Sequence, residues 1–192
     1  GNIGMPLLDR IDEINEDDKV VLELSSFQLM TLKNSPQRAV ITNITPNHLD
    51  IHKSMNEYID AKINILKYQN SNDTAVLNYD NTITRALGEK AKGNVIYFSR
   101  LSELDRGVFI KDGTILYRDD KGTEEVMKTE DIKIPGLHNT ENYMAAVAAV
   151  KSRAGNESIK DIARSFSGVE HRIEFVKEIG KITFYNDSDV MI

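Results

Sequence analysis

Val20-Val21-Leu22-Glu23-Leu24-Ser25-Ser26-Phe27-Gln28 is an apolar run of strand length that carries one carboxylate and then breaks into hydroxyls. A lone acid in so apolar a run must be paired, be hydrogen-bonded or bind a cation. Nucleotide-using α/β enzymes place a metal-holding acid at the carboxyl end of a buried parallel strand, where ligands collect. The alternative is an edge strand with a solvated Glu, and this segment alone leaves both readings open. Arg38-Ala39-Val40-Ile41-Thr42-Asn43-Ile44 is a second near-continuous apolar run. Together, residues 19–26 and 38–44 predict two strands buried on both faces.

The following segments extend that pattern. Ser54-Met55-Asn56-Glu57 is a capping-box sequence that opens a helix to about Tyr68. Thr74–Asn78 and Val95–Ser99 read as strands, with a helix over roughly 81–91 between them, and this alternation predicts a mostly parallel sheet with flanking crossover helices. A change follows at Gly107. Strands 107–111, 114–118 and 123–128, joined by Asp112-Gly113 and Asp120-Lys121-Gly122, predict a small antiparallel meander. Past Pro135-Gly136 a long helix is expected over 139–153, with Gly155 as its C′ residue, then a second over 158–166. Ser167-Gly168 reads as a hinge, and 172–177 with 181–185 as a hairpin. Gly1–Pro6 reads as a loop with no strand before it. The sequence ends four residues past Tyr185-Asn186-Asp187-Ser188, where a strand would hand over to the next element, so the expectation is a fragment of a longer protein.

With 192 residues, 40% of them hydrophobic and 28% charged, the chain suits one domain or one domain plus part of another. A net charge of −6 gives no pull toward nucleic acid or an anionic membrane. The absence of Cys excludes disulfides and thiolate chemistry and agrees with a reducing cytosol. No run is long enough to span a membrane, and no signal peptide is recognisable. The expected location is cytoplasmic.

Several constellations could carry chemistry. Asn47-His48-Leu49-Asp50 follows the strand at 38–44, so if the two apolar strands are neighbours, Glu23 and His48 share one rim of the sheet. A carboxylate and an imidazole there could hold a divalent ion, Mg²⁺ or with a His ligand Mn²⁺; alternatively His48 caps a loop. Lys62 falls four residues from both Tyr58 and Leu66, on or beside the apolar stripe of its helix. It either snorkels or is a modified or pKa-shifted lysine facing the site. Asn139 and Asn142 share a face in the first turn of the long helix, where amides and free backbone N–H groups suit a nucleotide; a plain N-cap is the alternative. His171-Arg172 and Asn186-Asp187-Ser188 pair a phosphate-suited Arg with a ribose-suited Asp. No G-x-x-x-x-G-K-[ST] occurs. Gly88-Glu89-Lys90-Ala91-Lys92-Gly93 has the glycine spacing without the Lys-Ser/Thr, and reads as a helix end and turn.

Gly1-Asn2-Ile3-Gly4, Glu23-Leu24-Ser25-Ser26-Phe27-Gln28, Asn47-His48-Leu49-Asp50, Ala61-Lys62, Gly136-Leu137-His138-Asn139 with Asn142, His171-Arg172 and Asn186-Asp187-Ser188 occur in this order. The set resembles the Mur ligases of bacterial peptidoglycan synthesis over nearly the whole chain. The Leu-Ser-Ser-Phe-Gln variant and the opening Gly-Asn-Ile-Gly are similar to the branch that joins D-glutamate to UDP-N-acetylmuramoyl-L-alanine. The resemblance implies residues 1–168 as a central ATPase domain lacking its phosphate loop and that loop's strand. Residues 169–192 would be the first hairpin of a truncated C-terminal domain.

It also implies roles at matching positions. Glu23 and His48 match metal ligands, and Lys62 matches a lysine carbamylated in the family, which turns a cation that repels Mg²⁺ into an anion that can bind it. His48 and Lys62 are accordingly the catalytic positions. Asn139, Asn142, Arg172 and Asp187 match contacts to ATP, and Asn2 and Ser25 match contacts to the UDP-linked substrate. The family reaction runs through an acyl phosphate, which fits domain closure about a hinge near Gly168. One departure is Asp189, which stands where the family motif continues with Lys. An enzyme implies UDP-linked substrate, D-glutamate, ATP and Mg²⁺ as its ligands, with no nucleic acid and no membrane. A non-catalytic nucleotide-binding or assembly module on the same fold is the other reading.

Overall fold

The computed structural model describes residues 7–45, 54–169 and 174–186. After a 3₁₀ segment at Leu7–Glu13, the first helix is the short α1 (Ser26–Met30), followed by β1 (Arg38–Ile41), α2 (Met55–Lys67), β2 (Thr74–Asn78), α3 (Thr82–Gly88) and β3 (Asn94–Ser99). The meander then forms β4 (Gly107–Lys111), β5 (Thr114–Asp119) and β6 (Gly122–Lys128), ahead of α4 (Leu137–Val150), α5 (Asn156–Ser165) and the hairpin of β7 (Glu174–Ile179) and β8 (Ile182–Asn186). The expected mixed α/β architecture is present. β1 to β4 run parallel and β4 to β6 antiparallel, in one sheet of order β1-β2-β3-β4-β5-β6. The meander is thus an extension of the parallel sheet, joined to β3 through Phe98 opposite Val108 and Ser99 opposite Phe109. β7 and β8 form a separate antiparallel sheet.

Alternating side chains give the large sheet two apolar faces. On β2, Ala75 and Leu77 pack with Ala39, Ile41, Tyr58, Leu66 and Leu87, under α2 and α3. Val76 points the other way, to Phe98, Val108, Ile115, Met144 and Val147, under α4 and α5. The result is three layers, the arrangement parallel strands require. The helix starts follow the sequence. Ser54 Oγ accepts the Glu57 amide at 3.2 Å, and Asn81 Oδ1 accepts the Thr84 amide at 3.0 Å. The Asp112-Gly113 turn takes φ of 48° and 73°, the left-handed pair a tight hairpin of matching twist demands. Gly155 is not the C′ residue of α4 but the N-cap of α5, with an extended φ of −74°; α4 stops at Val150 and a short turn intervenes.

The largest departure concerns Val20–Ser25. It forms no strand, and Val20, Val21 and Leu22 are exposed, Val21 at 95%. The sheet neighbour of β1 is β2, and the other edge of β1 is unpaired among the described residues. A strand needs a ladder partner as well as an apolar sequence. What holds the segment after it is helix packing: Asn64 Nδ2 of α2 donates to Leu29 O at 3.1 Å and Met30 O at 3.4 Å, and Ser35 Oγ donates to Asn64 O at 3.3 Å.

Candidate functional site

β1, β2 and β3 end together at one rim, and the turns that leave them are tied by their own polar side chains. Asn78 Nδ2 donates to Thr42 O at 3.0 Å, and Asn81 Nδ2 donates to Asn43 Oδ1 at 2.7 Å and Ile44 O at 3.0 Å. Asp80 is the centre of a tighter group. One carboxylate oxygen accepts Ser99 Oγ at 2.5 Å; the other accepts the amides of Arg100 at 2.8 Å and Leu101 at 3.2 Å. These bonds fix the backbone just past β3. Arg100 Nε then donates to Glu141 Oε1 at 2.7 Å, which brings the start of α4 to the same rim. At the far end of α4 the Arg38 guanidinium, at the start of β1, donates to the Ser152 hydroxyl and to Ala149 O, one of the carbonyls the helix end leaves open. α4 therefore runs antiparallel to β1–β3, with its amino end at their carboxyl rim, where α/β proteins bind ligands.

The helix start has an unusual approach. Gly136 is the N-cap with φ 106° and offers no side-chain cap. A Cβ there would lie 2.6 Å from His138 Cε1. Asn139 is half-buried and sits inside the first turn rather than at the cap; its Nδ2 donates to Pro135 O at 2.6 Å. Asn142 Nδ2 donates to Asn139 Oδ1 at 3.5 Å. The two amides thus do share a face, as their spacing predicts, and they close the loop onto the helix.

The other sequence-derived positions separate into three groups. Ser25 is the N-cap of α1: its Oγ accepts the Gln28 amide and Gln28 Oε1 accepts the Ser25 amide at 2.9 Å. Lys62 is half-buried with its ammonium 5.0 Å from the centre of the Tyr58 ring. Glu23 lies in the exposed stretch outside the sheet, so the expectation that it ends a buried parallel strand beside β1 is corrected: the acid is solvated because no strand forms to bury it. Neither Glu23 nor Lys62 joins any ion pair among the described residues. Asn2, His48, Arg172 and Asp187 lie outside the described residues.

A carboxylate with an imidazole is a donor set that suits Mg²⁺ or Mn²⁺. Among the described residues, however, no three His, Asp or Glu side chains are grouped to hold a metal. Of the three positions assigned to that ion, Glu23 and Lys62 fall among the described residues and His48 does not.

Asp80, Arg100 and Glu141 were missed from sequence. The signal available was a polar Tyr79-Asp80-Asn81 turn directly after a buried strand. A cleft of about 580 Å³ opens elsewhere, lined by Tyr117, Asp119, Lys121, Thr123, Glu124 and Lys151. It sits at the carboxyl end of α4, roughly 20 Å along the helix from Asn139 at 1.5 Å per residue, and so is separate from the rim.

The profile described as Mur ligase middle domain matches residues 2–150. The UDP-N-acetylmuramoylalanine--D-glutamate ligase of Acetivibrio thermocellus is 55% identical over 188 residues, 98% of this chain and 40% of that protein. The enzyme of the same name from Clostridium novyi is 52% identical over the same shares. This chain thus spans about 40% of the length of the curated relatives it matches. Among solved structures, MurF from Acinetobacter baumannii aligns with a TM-score of 0.61 at 22% identity, over 80% of this chain and 34% of that one. MurC from Thermotoga maritima aligns with a TM-score of 0.60 at 20% identity, over 85% and 36%. These two likenesses establish the fold. No helix among the described residues is long and apolar enough to cross a membrane.

Proposed function

Because the chain belongs to the Mur ligase family through its middle domain, we propose that it is the ATP-handling core of a UDP-N-acetylmuramoylalanine--D-glutamate ligase acting in peptidoglycan synthesis. The observation that carries this reading is the 55% identity over 98% of the chain to a ligase of that name. Residues 1–168 are the central domain and 169–192 the first hairpin of the next, with Ser167-Gly168 between them as hinge. Gly168 has the left-handed φ of 97° that a reorienting joint tolerates.

The chemistry has two steps. The γ-phosphoryl group of ATP moves to a carboxylate oxygen of UDP-N-acetylmuramoyl-L-alanine, and ADP leaves. The amine of D-glutamate then attacks the acyl carbon, loses a proton, and releases phosphate as the amide forms. Asn139 and Asn142 present side-chain amides to the nucleotide at the start of α4, Arg172 contacts a phosphate, and Asp187 the ribose. Asn2 and Ser25 contact the UDP-linked substrate. Glu23, His48 and a carbamylated Lys62 are assigned to Mg²⁺ (or Mn²⁺), which when bound offsets charge on the phosphates. ATP and a UDP-linked substrate place the enzyme in the cytoplasm, with neither nucleic acid nor membrane as partner.

D-glutamate-dependent phosphate release by the full-length protein, with ATP and UDP-N-acetylmuramoyl-L-alanine present, tests the reading. ATP binding without that release would favour the non-catalytic module instead.

A further inference from the structure

We propose that Arg100 and Glu141 are positioning residues for the nucleotide: their ion pair holds the first turn of α4 in place at the sheet rim, so that Asn139 and Asn142 are presented in one fixed orientation. The inference rests on the nucleotide reading of those two asparagines and adds the part that aims them.

Three observations carry it. First, the packing that anchors α4 begins only past the turn in question. Its buried residues are Met144, Ala145, Val147 and Ala148, whereas Leu137 is 66% exposed and His138 and Asn142 are exposed. Second, the chain enters the helix through Pro135 and the left-handed Gly136, with no side-chain cap at that N-terminus. The usual device that fixes a helix start is therefore missing, and the Asn139 side chain bonds only to near neighbours in the chain, Pro135 O and Asn142 Nδ2. Third, the Arg100–Glu141 contact joins this turn to a rigid part of the fold. Its side chains are 29% and 30% exposed, so the pair is partly shielded from water. Arg100 is itself held, because Asp80 accepts its amide together with that of Leu101 and the hydroxyl of the fully buried Ser99. Asp80 in turn donates its amide to Asn78 Oδ1 at 2.9 Å, at the end of β2. The restraint thus runs from two core strands through Asp80 and Arg100 to Glu141. Glu141 is one residue before Asn142, about 100° around the helix from it, so pinning Glu141 sets the rotation of the Asn139/Asn142 face.

A group that orients nucleotide contacts used alike in the ground and transition states affects KM rather than kcat. Steady-state kinetics of the full-length ligase therefore tests the inference, using Arg100→Met, Glu141→Gln, the swap Arg100→Glu/Glu141→Arg, and Asn142→Ala as reference. Each single variant of the pair should raise KM for ATP about fivefold with kcat within about twofold, the scale of a partly exposed ion pair. KM for D-glutamate should stay unchanged, and the swap should restore most of the loss. If Asn142→Ala raises KM for ATP while Arg100→Met and Glu141→Gln do not, the positioning role is wrong and the nucleotide reading stands. If Asn142→Ala also leaves it unchanged, the nucleotide reading fails and takes this inference with it. A fall in kcat and thermal stability together, unrescued by the swap, would mean that the pair merely supports the fold.

Discussion

Gly136 combines two constraints in one position. Its φ of 106° is open to glycine and strained for any L side chain, and a Cβ would meet the His138 ring at 2.6 Å. Gly136→Ala should destabilise the protein by about 1–3 kcal/mol in denaturant unfolding. Adding His138→Ala should recover the steric part and leave the backbone part, so complete recovery by the double variant would contradict the φ argument. Lys62 makes a different case. Its ammonium over Tyr58 is worth about 0.5–1 kcal/mol, so Lys62→Ala should lower stability only modestly. Turnover of the full-length ligase should nevertheless fall by at least about 10²-fold, as when one charge-stabilising group is lost, with partial rescue by added short carboxylates. A fully active Lys62→Ala ligase would refute the carbamate assignment. The apolar run Ala75-Val76-Leu77 was readable as a strand, and Asn139 and Asn142 as one helix face. Glu23 was not, because its apolar neighbours signal burial that happens only when another strand pairs with them.

The connection of α5 to the meander gives a measurable pH dependence. Asp131, in the 3₁₀ turn after β6, accepts Arg164 Nε of α5 at 3.0 Å and the Lys128 amide at 3.0 Å. The Arg164 hydrogen bond, then the Lys128 amide, hold its carboxyl below the usual range for aspartate. A carboxyl whose pKa is depressed on folding adds stability above its unfolded pKa of about 4, and that stability is lost as pH falls through the folded value. Melting temperatures of the wild type and Asp131→Asn should therefore differ by a constant amount from pH 7 to about 5 and converge below about 4. A gap that widens on acidification would reverse the assigned sign. The segment at 19–26 shows the limit of reading elements from pattern. Helices α2 and α4 carry their own periodicity and hydrogen bonds, so both formed, α2 where expected and α4 shifted to Leu137–Val150. A strand's hydrogen bonds belong to its neighbour, and β1 presents a free edge among the described residues.

The 192-residue chain contains no phosphate loop, and its relatives extend well beyond the 40% that it covers. The chain alone should show no D-glutamate-dependent phosphate release above a no-protein control and at best weak ATP affinity in calorimetry. Several donors to the β- and γ-phosphates are missing, and losing even one such donor costs about 10²–10³ in rate. Phosphate release by the purified chain would overturn this. Apolar runs and turn chemistry were enough to determine a mostly parallel α/β sheet with flanking helices and an antiparallel meander, because apolar periodicity and Asp-Gly turns are local properties of the chain. The ordered motifs that resemble those of the Mur ligases are legible in the chain residue by residue, apart from any burial pattern. Which residues meet was decided by the tertiary structure. β4 joins the parallel sheet through two residue pairs, Phe98 with Val108 and Ser99 with Phe109. Arg100 reaches Glu141 across 41 positions, because α4 folds back antiparallel over β1–β3. A contact of that separation leaves no periodic trace in the sequence; it exists once the core has closed and set the rim's turns against the helix start.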